Sequence, residues 1–471
     1  MKSMASSSVL DKVTSATVRN VIFPVWALRD HPHYFRYFRE YQRSQFFSRE
    51  QIGELQLQRL RALLQHAYRN CPFYRRRMDE ASLSASSIGS IAAVSGLPVL
   101  TKGDIQEHGT QMLATNMPAA SRIRNQTGGS TGSPLQFYVD KERFDSRMAS
   151  TDRHNRWLGL RPGDWHAHLW GARLDQIIHG GLKDQIRNHL LYRRIELNTS
   201  CITDEGWITV VRKLRQQRPR FMIAYAKSAV LFANYMRENG INDLHFDAVI
   251  TTAEVLFSED RELLEEAFEC EVFNRYGCRE VSVIASECEH HRMHVNAEAL
   301  LVEIVPDATT PALGKILITD LLNYSMPLIR YEIGDVGEWS TEQYCPCGRG
   351  LPVLRDVQGR TTDFLELSDG RKISGPALTL VVADMPDVRQ VQFVQHELRK
   401  IALRVVPGRG YGEHTKIELR KRLSLYLGEL VDLQVEETTR IASESSGKYR
   451  FVISHVDSTS MSSSRKTYDT H

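Results

Sequence analysis

Apolar residues recur at helical spacing along the first clearly patterned stretch of the chain. They are Ile52, Leu55, Leu60, Leu63, Leu64 and Ala67. Ser48 and Gln51 precede this stripe with the spacing of a capping box at a helix start. Pro72 ends the pattern, because proline disfavours a helical conformation in the residue before it. We therefore predict a helix from Ser48 to Asn70, after a loose, Ser-rich segment at residues 1–17.

Strand and helix patterns then alternate through the middle of the chain. The predicted elements are a helix at Lys141–Leu158, strands at Trp165–Trp170 and Arg220–Tyr225, a helix at Lys227–Glu238, a strand at Phe246–Thr252, a helix at Ser258–Phe268 and a strand at Glu271–Gly277. Such alternation is typical of a parallel sheet covered by helices. Because these sheets bind their ligands at the carboxyl ends of the strands, we expect the functional site there.

Strand patterns dominate past residue 300, and past residue 360 the composition changes to that of a small α+β unit. The predicted elements are strands at Leu300–Val305 and Lys315–Leu321, a hairpin at Ser368–Gly370, a strand pair within Val388–Val406, a helix near Lys416–Leu427 and a strand at Leu433–Thr438. We predict an α/β protein whose large N-terminal domain, residues 1–359, contains helix-covered mixed or parallel sheets. A small mobile α+β C-terminal domain would span residues 360–455, before a disordered tail at residues 456–471.

Composition narrows the classes of function. A chain of 471 residues is too long for one core, and its 42% hydrophobic and 25% charged residues are typical of a soluble globular protein. A formal net charge of +3 gives no support for nucleic-acid binding. The apolar run Val21–Leu28 is too short to span a membrane, and no signal peptide is visible. Seven scattered cysteines favour a reducing compartment, so we predict a cytoplasmic protein without a transmembrane segment.

The segment around which the chain is organised is rich in glycine and hydroxyl residues. It reads Thr127-Gly128-Gly129-Ser130-Thr131-Gly132-Ser133-Pro134. Such a loop exposes backbone N–H groups that can close around an anion, and its hydroxyls add rotatable donors suited to the phosphates of a nucleotide. It is neither a Walker A loop nor a dinucleotide fingerprint, since no Gly-Lys-Ser/Thr follows and a strand comes next. A flexible surface turn is the alternative interpretation.

Four further short segments follow this loop in the chain, and each alone is a weak signal. They are Asn274-Arg275-Tyr276-Gly277-Cys278-Arg279-Glu280, Arg330-Tyr331-Glu332-Ile333-Gly334-Asp335, Gly359-Arg360-Thr361-Thr362-Asp363 and Ser446-Gly447-Lys448-Tyr449-Arg450. Together and in this order, the set resembles the adenylate-forming superfamily of acyl-CoA ligases. Within it, Leu97–Lys102, Gly447–Ser454 and the cysteine pattern are most similar to the phenylacetate–CoA ligase group and its CapK-type capsule-biosynthesis members.

The resemblance implies a reaction in two steps. A carboxylate attacks the α-phosphate of ATP to give an acyl-adenylate and pyrophosphate, and a thiol or another nucleophile then takes the acyl group. Because charge builds up on phosphate oxygens, donors and cations must be placed there beforehand. The residues from Thr127 to Ser133 would hold the β- and γ-phosphates, and Lys448 would lie between the substrate carboxylate and the α-phosphate.

The resemblance also assigns roles around the nucleotide. Tyr276, with Gly277 beside it, would stack on adenine, and Glu280 would hold Mg²⁺, which prefers oxygen ligands. Asp335 would accept hydrogen bonds from the ribose hydroxyls, and Arg360 would bind ribose or phosphate. Glu254 falls where the family lines the acyl and nucleotide pocket.

Two positions depart from the family pattern. The small domain of the family rotates between the two steps, and its pivot is usually an acidic residue two places after the arginine that matches Arg360. Thr362 occupies that place here and Asp363 follows, so the hinge is one of the two. Glu332 stands where the family often has arginine.

The cysteines give a separate signal. Cys345-Pro346-Cys347 forms a knuckle pattern, and Cys288 precedes several histidines. Three thiolates and one imidazole would close a tetrahedral, structural zinc site, and the phenylacetate–CoA ligase group often carries a similar set. We predict Cys288, His291, Cys345 and Cys347 as the ligands, with His290 or His294 as substitutes for His291. Free cysteines in a turn are the alternative.

We therefore predict an AMP-forming ligase that uses ATP and Mg²⁺ to activate a carboxylic acid. The acyl group would pass to coenzyme A, or to an amine or hydroxyl of a precursor in capsule or exopolysaccharide synthesis. His166, His168 and Trp170 would line the acyl pocket or simply pack. The rival hypotheses are a catalytically inactive nucleotide-binding scaffold and a nucleotidyl transferase. The sequence determines neither the acid, the acceptor nor the oligomeric state, for which a dimer is one option.

Overall fold

The computed structural model describes most of the chain in two compact units, whose main boundary lies between residues 359 and 360. The described residues are 9–84, 88–126, 135–170, 186–198, 204–307, 310–342, 344–358, 364–368, 372–374, 385, 387–428, 431–441 and 452–456.

The α-helices of the described residues follow in chain order. They are α1 Val9–Thr17, α2 Phe23–Asp30, α3 Tyr34–Ser44, α4 Arg49–Asn70, α5 Pro72–Glu80, α6 Lys102–Met112, α7 Lys141–Trp157, α8 Asp204–Gln217, α9 Ala226–Glu238, α10 Ser258–Phe268 and α11 Glu413–Leu427.

The strands of the described residues are numbered in the same way. They are β1 Arg122–Gln126, β2 Gln136–Asp140, β3 His166–Trp170, β4 Arg194–Asn198, β5 Phe221–Tyr225, β6 Ala248–Thr252, β7 Glu271–Cys278, β8 Ser282–Glu287, β9 Met293–Val295, β10 Leu300–Asp307, β11 Thr310–Asp320, β12 Tyr331–Trp339, β13 Val353–Gln358, β14 Phe364–Glu366, β15 Lys372–Ser374, β16 Val388–Glu397, β17 Lys400–Pro407, β18 Asp432–Glu437 and β19 Val452–Ser454.

An eleven-stranded mixed sheet forms the centre of the first unit. Its strand order is β10-β11-β12-β13-β9-β8-β7-β6-β5-β3-β4. The last five strands in this order, β7, β6, β5, β3 and β4, run parallel to one another. Each neighbouring pair from β10 across to β7 is antiparallel. The structure therefore confirms the α/β fold class, and the carboxyl ends of the parallel strands meet at one edge, as expected.

Helix α4 illustrates how local sequence signals set the elements. The Ser48 hydroxyl accepts a hydrogen bond from the Gln51 N–H, and the Gln51 side chain accepts one from the Ser48 N–H, which completes the predicted capping box. The helix ends at Asn70, directly before Cys71 and Pro72, so the predicted bounds are confirmed. The expectation of a loose segment at residues 1–17 is wrong for residues 9–17, which form α1. Asp11 in this helix is ion-paired with Arg193, a tertiary contact that local sequence cannot reveal.

Helix α7 lies at almost its predicted bounds, but five of its charged residues are buried rather than solvated, namely Arg143, Asp145, Arg147, Asp152 and Arg153. Arg143 lies 1% exposed with its Nε 2.7 Å from Asp320 Oδ1, at the end of β11. Arg153 is fully buried, with its Nη1 2.6 Å from Glu298 Oε1. Buried ions of this kind are stable only when they are paired, so these contacts fix α7 against the sheet.

The second unit is a small α+β fold. Its four-stranded sheet has the order β18-β17-β16-β19, in which β16 and β17 are antiparallel and the two outer pairs are parallel. Leu419, Leu423 and Leu427 of α11 share a buried core with β16 and β17. The predicted strand pair and helix are thereby confirmed. Across the described residues of both units, no helix is long and apolar enough to cross a membrane.

The buried pairing of α7 leads to a prediction about stability. Asp320→Asn would leave Arg143 and Arg147 buried without a carboxylate, so we expect unfolding of the first unit to become easier by about 3–5 kcal/mol. Asp243→Asn is the matched control, because its pair with Arg215 lies at the surface, where water screens the charges, and should contribute little. Urea unfolding followed by tryptophan fluorescence measures both. Equal losses in the two variants would contradict the argument.

Candidate functional site

Two of the sequence segments meet through a direct hydrogen bond. The Tyr276 hydroxyl, near the end of β7, donates to Asp335 Oδ2 of β12 at 2.8 Å, although the two residues are 59 positions apart. Asp335 follows Gly334, whose φ of +84° lies in the left-handed region that favours glycine. The Gly-Asp sequence therefore aims this carboxylate at the Tyr276 hydroxyl.

Gly277 is required by close approach of the backbone. A Cβ atom at this position would lie 2.5 Å from the carbonyl oxygen of Ser282, where no real side chain fits. The missing side chain lets β7 and β8 pair tightly around the turn that carries Glu280.

Glu280 is held in place from two sides. It is 6% exposed, and its Oε1 accepts a hydrogen bond from the Tyr331 hydroxyl at 3.0 Å. Its backbone carbonyl accepts a hydrogen bond from Arg147 of α7. The carboxylate is therefore an oriented oxygen donor of the type that Mg²⁺ prefers.

Glu254 lies just past the carboxyl end of β6, the strand that neighbours β7. It follows Ala253, which has a φ of +69°. Non-glycine residues in the left-handed region cost about 1–3 kcal/mol and cluster at functional sites. Glu332, the departure from the family pattern, is neutralised by Lys315 of β11, whose Nζ lies 3.0 Å from its Oε1.

Several predicted site residues lie outside the described part of the chain. They are Thr127, Gly128, Gly129, Ser130, Thr131, Gly132, Ser133, Arg360, Thr362, Asp363 and Lys448. Their roles remain predictions from the sequence.

The structure brings three cysteines and one histidine together. The ligand atoms of Cys288, His294, Cys345 and Cys347 all lie within 4.8 Å of one another. Cys288 follows β8 and His294 lies in β9, while the two other cysteines belong to the knuckle before β13. Gly348 has a φ of +76°, which lets the knuckle turn back after Cys347.

The spacing of this cluster suits a tetrahedral zinc ion. Two sulfurs, each bound about 2.3 Å from such an ion, would be about 3.8 Å apart. The Sγ atoms of Cys288 and Cys345 are 3.6 Å apart, and Cys347 Sγ lies 3.3 Å from His294 Nε2. His294 Nδ1 lies 3.1 Å from the Leu351 carbonyl, and a hydrogen bond to that oxygen would direct Nε2 to the cysteines. The donor set therefore fits zinc.

The choice of His291 as the fourth ligand is corrected by this geometry. Residues 288–292 form a tight turn, in which the His291 N–H donates to the Cys288 carbonyl and φ of His291 is +54°. The His291 ring instead stacks on Phe273, with ring centroids 4.8 Å apart, and contacts Arg261 and Glu287. His294, named as a substitute, takes the position among the thiols.

The protonation states of the cluster follow from these contacts. Burial alone would lower the pKa of His294, but hydrogen bonds with Cys288 and Cys347 raise it to about 9. Burial alone would raise the pKa of Cys347, but hydrogen bonds with His294, Arg349 and Cys345 together outweigh it and lower the pKa. Burial raises the pKa of Cys345.

The predicted aromatic lining of β3 lies on one sheet face, with His166, His168 and Trp170 at alternating positions. The rings of His168 and Trp170 stack 5.6 Å apart, and Trp170 lies 4.5 Å from the Tyr225 ring of β5. Burial lowers the pKa of His166 to about 4 and that of His168 well below its usual value, so both rings are neutral at pH 7.

Sequence reasoning missed three residues that shape this region. Tyr331 supports Glu280, Arg147 holds the turn that carries it, and Arg275 is buried one residue before Tyr276. Tyr331 and Arg275 lie inside the sequence segments quoted above, and that location could have marked them as site residues. No sequence feature marked Arg147, because a charged residue in a polar helix is ordinarily solvated.

Comparison with known proteins supplies relatives for both parts of the chain. Residues 365–455 match the family described as the CapK C-terminal domain. Protein CapK of Staphylococcus aureus is 24% identical over 411 residues, covering 86% of this chain and 90% of that protein. A phenylacetate–coenzyme A ligase of Thermus thermophilus is 25% identical over 357 residues, covering 72% of this chain and 77% of that protein.

Solved structures give the same fold. A 2-hydroxyisobutyryl-CoA ligase in the postadenylation state, in complex with R3-HIB-AMP, aligns with a TM-score of 0.71 at 20% identity, covering 88% of this chain and 91% of that one. The same ligase in the thioesterification state, with 2-HIB-AMP and CoA, aligns with a TM-score of 0.60. These comparisons confirm the resemblance drawn from the sequence segments.

The cysteine cluster leads to a prediction about metal content. We expect the purified protein to carry about one zinc ion per chain, and Cys347→Ala or His294→Ala to lose most of it because three ligands do not close a structural site. His291→Ala is the matched control and should keep its zinc. Elemental analysis after gel filtration measures the content, and loss of zinc in His291→Ala but not in His294→Ala would contradict the assignment.

Proposed function

We propose that the chain is an AMP-forming ligase. It is a homologue of CapK and of the phenylacetate–coenzyme A ligases, and it has the fold of adenylate-forming ligases. It activates a carboxylic acid with ATP and Mg²⁺ and then passes the acyl group to an acceptor. The contact of Tyr276 with Asp335 carries the proposal, because it joins the residues expected at adenine and at ribose.

In the first step an oxygen of the substrate carboxylate attacks the α-phosphorus of ATP. The new oxygen–phosphorus bond forms as the bond from the α-phosphorus to the bridging oxygen breaks, and pyrophosphate leaves with the electron pair. In the second step the acceptor attacks the acyl carbonyl carbon and AMP departs with the bonding electrons. Coenzyme A would lose its thiol proton in this step, so no oxidant or reductant is needed.

The residues that surround the nucleotide have distinct tasks. Asp335, oriented by the Tyr276 hydroxyl, accepts hydrogen bonds from the ribose hydroxyls, and Tyr276 presents its ring to adenine. Glu280, held by Tyr331, would be the oxygen ligand for Mg²⁺, which would supply positive charge next to the departing pyrophosphate. The residues Thr127–Ser133 cradle the outer phosphates, with Glu254 beside the acyl and nucleotide pocket.

The small C-terminal domain predicted at residues 360–455 would supply the late-arriving groups. Lys448 neutralises the substrate carboxylate and the α-phosphate as they approach, and Arg360 binds ribose or phosphate. The unit turns about Thr362 or Asp363 between the two steps. The match of residues 365–455 to the CapK C-terminal domain supports this division of the chain.

The cysteine cluster has a structural task in this proposal. Zinc held by Cys288, His294, Cys345 and Cys347 would tie the turn between β8 and β9 to the knuckle before β13. A closed set of four protein ligands leaves no open position for catalysis, so the ion would stabilise the sheet that carries Asp335 rather than react.

The acceptor is coenzyme A or an amine or hydroxyl of a capsule or exopolysaccharide precursor. The phenylacetate–coenzyme A ligase relatives favour the thiol, and the CapK relative favours a role in the capsule pathway. Both settings supply ATP in the cytoplasm, which is where we place the protein.

The proposal is tested by acid-dependent exchange of pyrophosphate into ATP. A panel of carboxylic acids is offered to zinc-loaded protein with Mg²⁺, and at least one acid should give exchange. Nucleotide binding without exchange on the whole panel would favour an inactive scaffold. Attachment of AMP to a protein or cofactor would favour nucleotidyl transfer.

A lysine variant tests the role proposed for Lys448. Lys448→Ala should reduce the exchange rate at least about 100-fold, because it removes a charge that acts on the developing transition state. Lys421→Ala is the control, since Lys421 is an exposed lysine of α11. Similar activity in both variants would exclude Lys448 from catalysis.

A tyrosine variant tests the contact that carries the proposal. Tyr276→Phe keeps the ring but leaves Asp335 without its oriented donor, so we expect the KM for ATP to rise about tenfold with a smaller change in kcat. Asp356→Asn, on the exposed surface of β13, is the control for general effects on the sheet. An unchanged KM for ATP in Tyr276→Phe would show that the contact has no part in nucleotide binding.

A further inference from the structure

Arg275 is a buried cation that faces no carboxylate among the described residues. It is 6% exposed, and its one side-chain hydrogen bond to another described residue runs from Nη2 to the side-chain oxygen of Asn155 at 2.7 Å. Its Nε is buried without a partner. The arginines of α7 differ in this respect: Arg143 and Arg153 are also buried, but each has a carboxylate oxygen within 2.7 Å.

An unpaired buried guanidinium is costly. The free-energy cost of moving a charge out of water is offset only by a counter-ion or by several hydrogen bonds. Among the described residues, Arg275 has neither. Burial lowers the pKa of Arg275 to about 10, so the side chain still carries its charge at pH 7. A residue kept in this state points to an anion that arrives from outside the chain.

The position of Arg275 fits a substrate rather than a structural role. Thr252 of β6 and Ser286 of β8 are its register partners on the two neighbouring strands, so their side chains share one face of the sheet. Ser286 is fully buried, and its hydroxyl also has no partner within the described residues. Arg275 Nε and the Ser286 hydroxyl thus both lack partners among the described residues. They lie at the carboxyl edge of the parallel strands, where such sheets bind ligands.

Aromatic and apolar groups continue the same face. Tyr225 is the register partner of Thr252, and its ring contacts Trp170. Below them lies an apolar cluster whose buried members are Leu160, Phe221, Ile223, Ala248, Ile250 and Phe273. A ligand bound to Arg275 at this edge would therefore lie near aromatic and apolar side chains.

The cation also lies next to the proposed nucleotide site. Arg275 directly precedes Tyr276 in β7, so the two side chains leave opposite faces of the strand at the same edge of the sheet, and Thr252 lies two residues before Glu254. An acid whose reacting carboxylate approached the nucleotide along this edge would bring its remaining atoms to Arg275.

We propose that the acid activated by this protein carries a second carboxylate, which Arg275 binds. The guanidinium and a carboxylate match in charge and in their paired donor and acceptor geometry, and Ser286 and Thr252 supply further hydrogen bonds. Arg275 is then a specificity-determining residue, while the other carboxylate of the same molecule is adenylated. This inference rests on the proposed ligase function.

The experiment compares matched acids that differ in the second carboxylate. Pyrophosphate exchange is measured with valerate against glutarate and with benzoate against the three benzenedicarboxylates. We expect a dicarboxylate to exceed its matched monoacid in kcat/KM by at least about tenfold, the effect of one charge-assisted hydrogen-bonded pair. Arg275→Gln should abolish this preference by raising the KM for the dicarboxylate.

The control variant is Arg212→Gln, which removes the same charge from the exposed face of α8. It should retain the preference for the dicarboxylate. A preference that is absent in the wild type, or unchanged in Arg275→Gln, overturns the inference while exchange itself keeps the ligase function.

A binding measurement separates the two proposals when no acid gives exchange. Thermal unfolding of the wild type should shift upward with a dicarboxylate and not with its monoacid, and the shift should vanish in Arg275→Gln. No shift with any dicarboxylate overturns the inference.

A stability measurement without ligand excludes a purely structural role. Arg275→Met should unfold at the same or a higher temperature than the wild type, because it removes an unpaired buried charge. A clear fall in the unfolding temperature would mean that Arg275 serves the fold, and that result contradicts the inference.

Discussion

The buried ion pairs of α7 are the constraint on which the first unit depends. Arg143 meets Asp320 at the end of β11, and Arg153 meets Glu298 just before β10. Because each of these charges would be strongly destabilising if its partner moved away, the helix has one acceptable position against the sheet. An apolar helix face would tolerate sliding by a fraction of a turn, but a face of paired charges does not.

The position of α7 in turn fixes residues of the proposed site. Arg147 of the same helix binds the backbone carbonyl of Glu280, and Arg143 donates to the carbonyl of Val281, so the turn after β7 is held by α7. Asn155, near the end of the helix, meets Arg275. Helix α7 thus fixes both Glu280, the proposed magnesium ligand, and Arg275, the proposed partner of the substrate's second carboxylate. These contacts explain why so many side chains of this polar helix are charged and yet buried.

The cysteine cluster and the substrate edge are joined through the sheet. His294 is the register partner of Ser286, which in turn is the partner of Arg275. A metal ion that held His294 would keep β8 and β9 in register and so would keep Ser286 beside Arg275. In this arrangement a structural zinc ion would contribute to the proposed specificity without touching either substrate.

The sequence by itself determined the main elements and the resemblance to known proteins. The capping box at Ser48, the stop before Pro72 and the alternation from Lys141 to Gly277 are local signals, since helix ends and side-chain periodicity depend on neighbours a few residues apart. The ordered set of short segments carried the resemblance to the adenylate-forming ligases for the same reason, because each segment is contiguous. The positions of Tyr276, Glu280 and Asp335 could be named from these segments alone.

Only the tertiary structure decided which of these residues meet and what surrounds them. Sequence reasoning chose His291 beside the cysteines, but the tight turn after Cys288 directs that ring to Phe273 and leaves the place to His294. The same reasoning passed over Arg275, because nothing in a segment of sequence tells a solvated arginine from a buried one. Burial and pairing are set by residues more than a hundred positions apart, such as Asn155 and Arg275, and that distance is closed only when the sheet and α7 pack together.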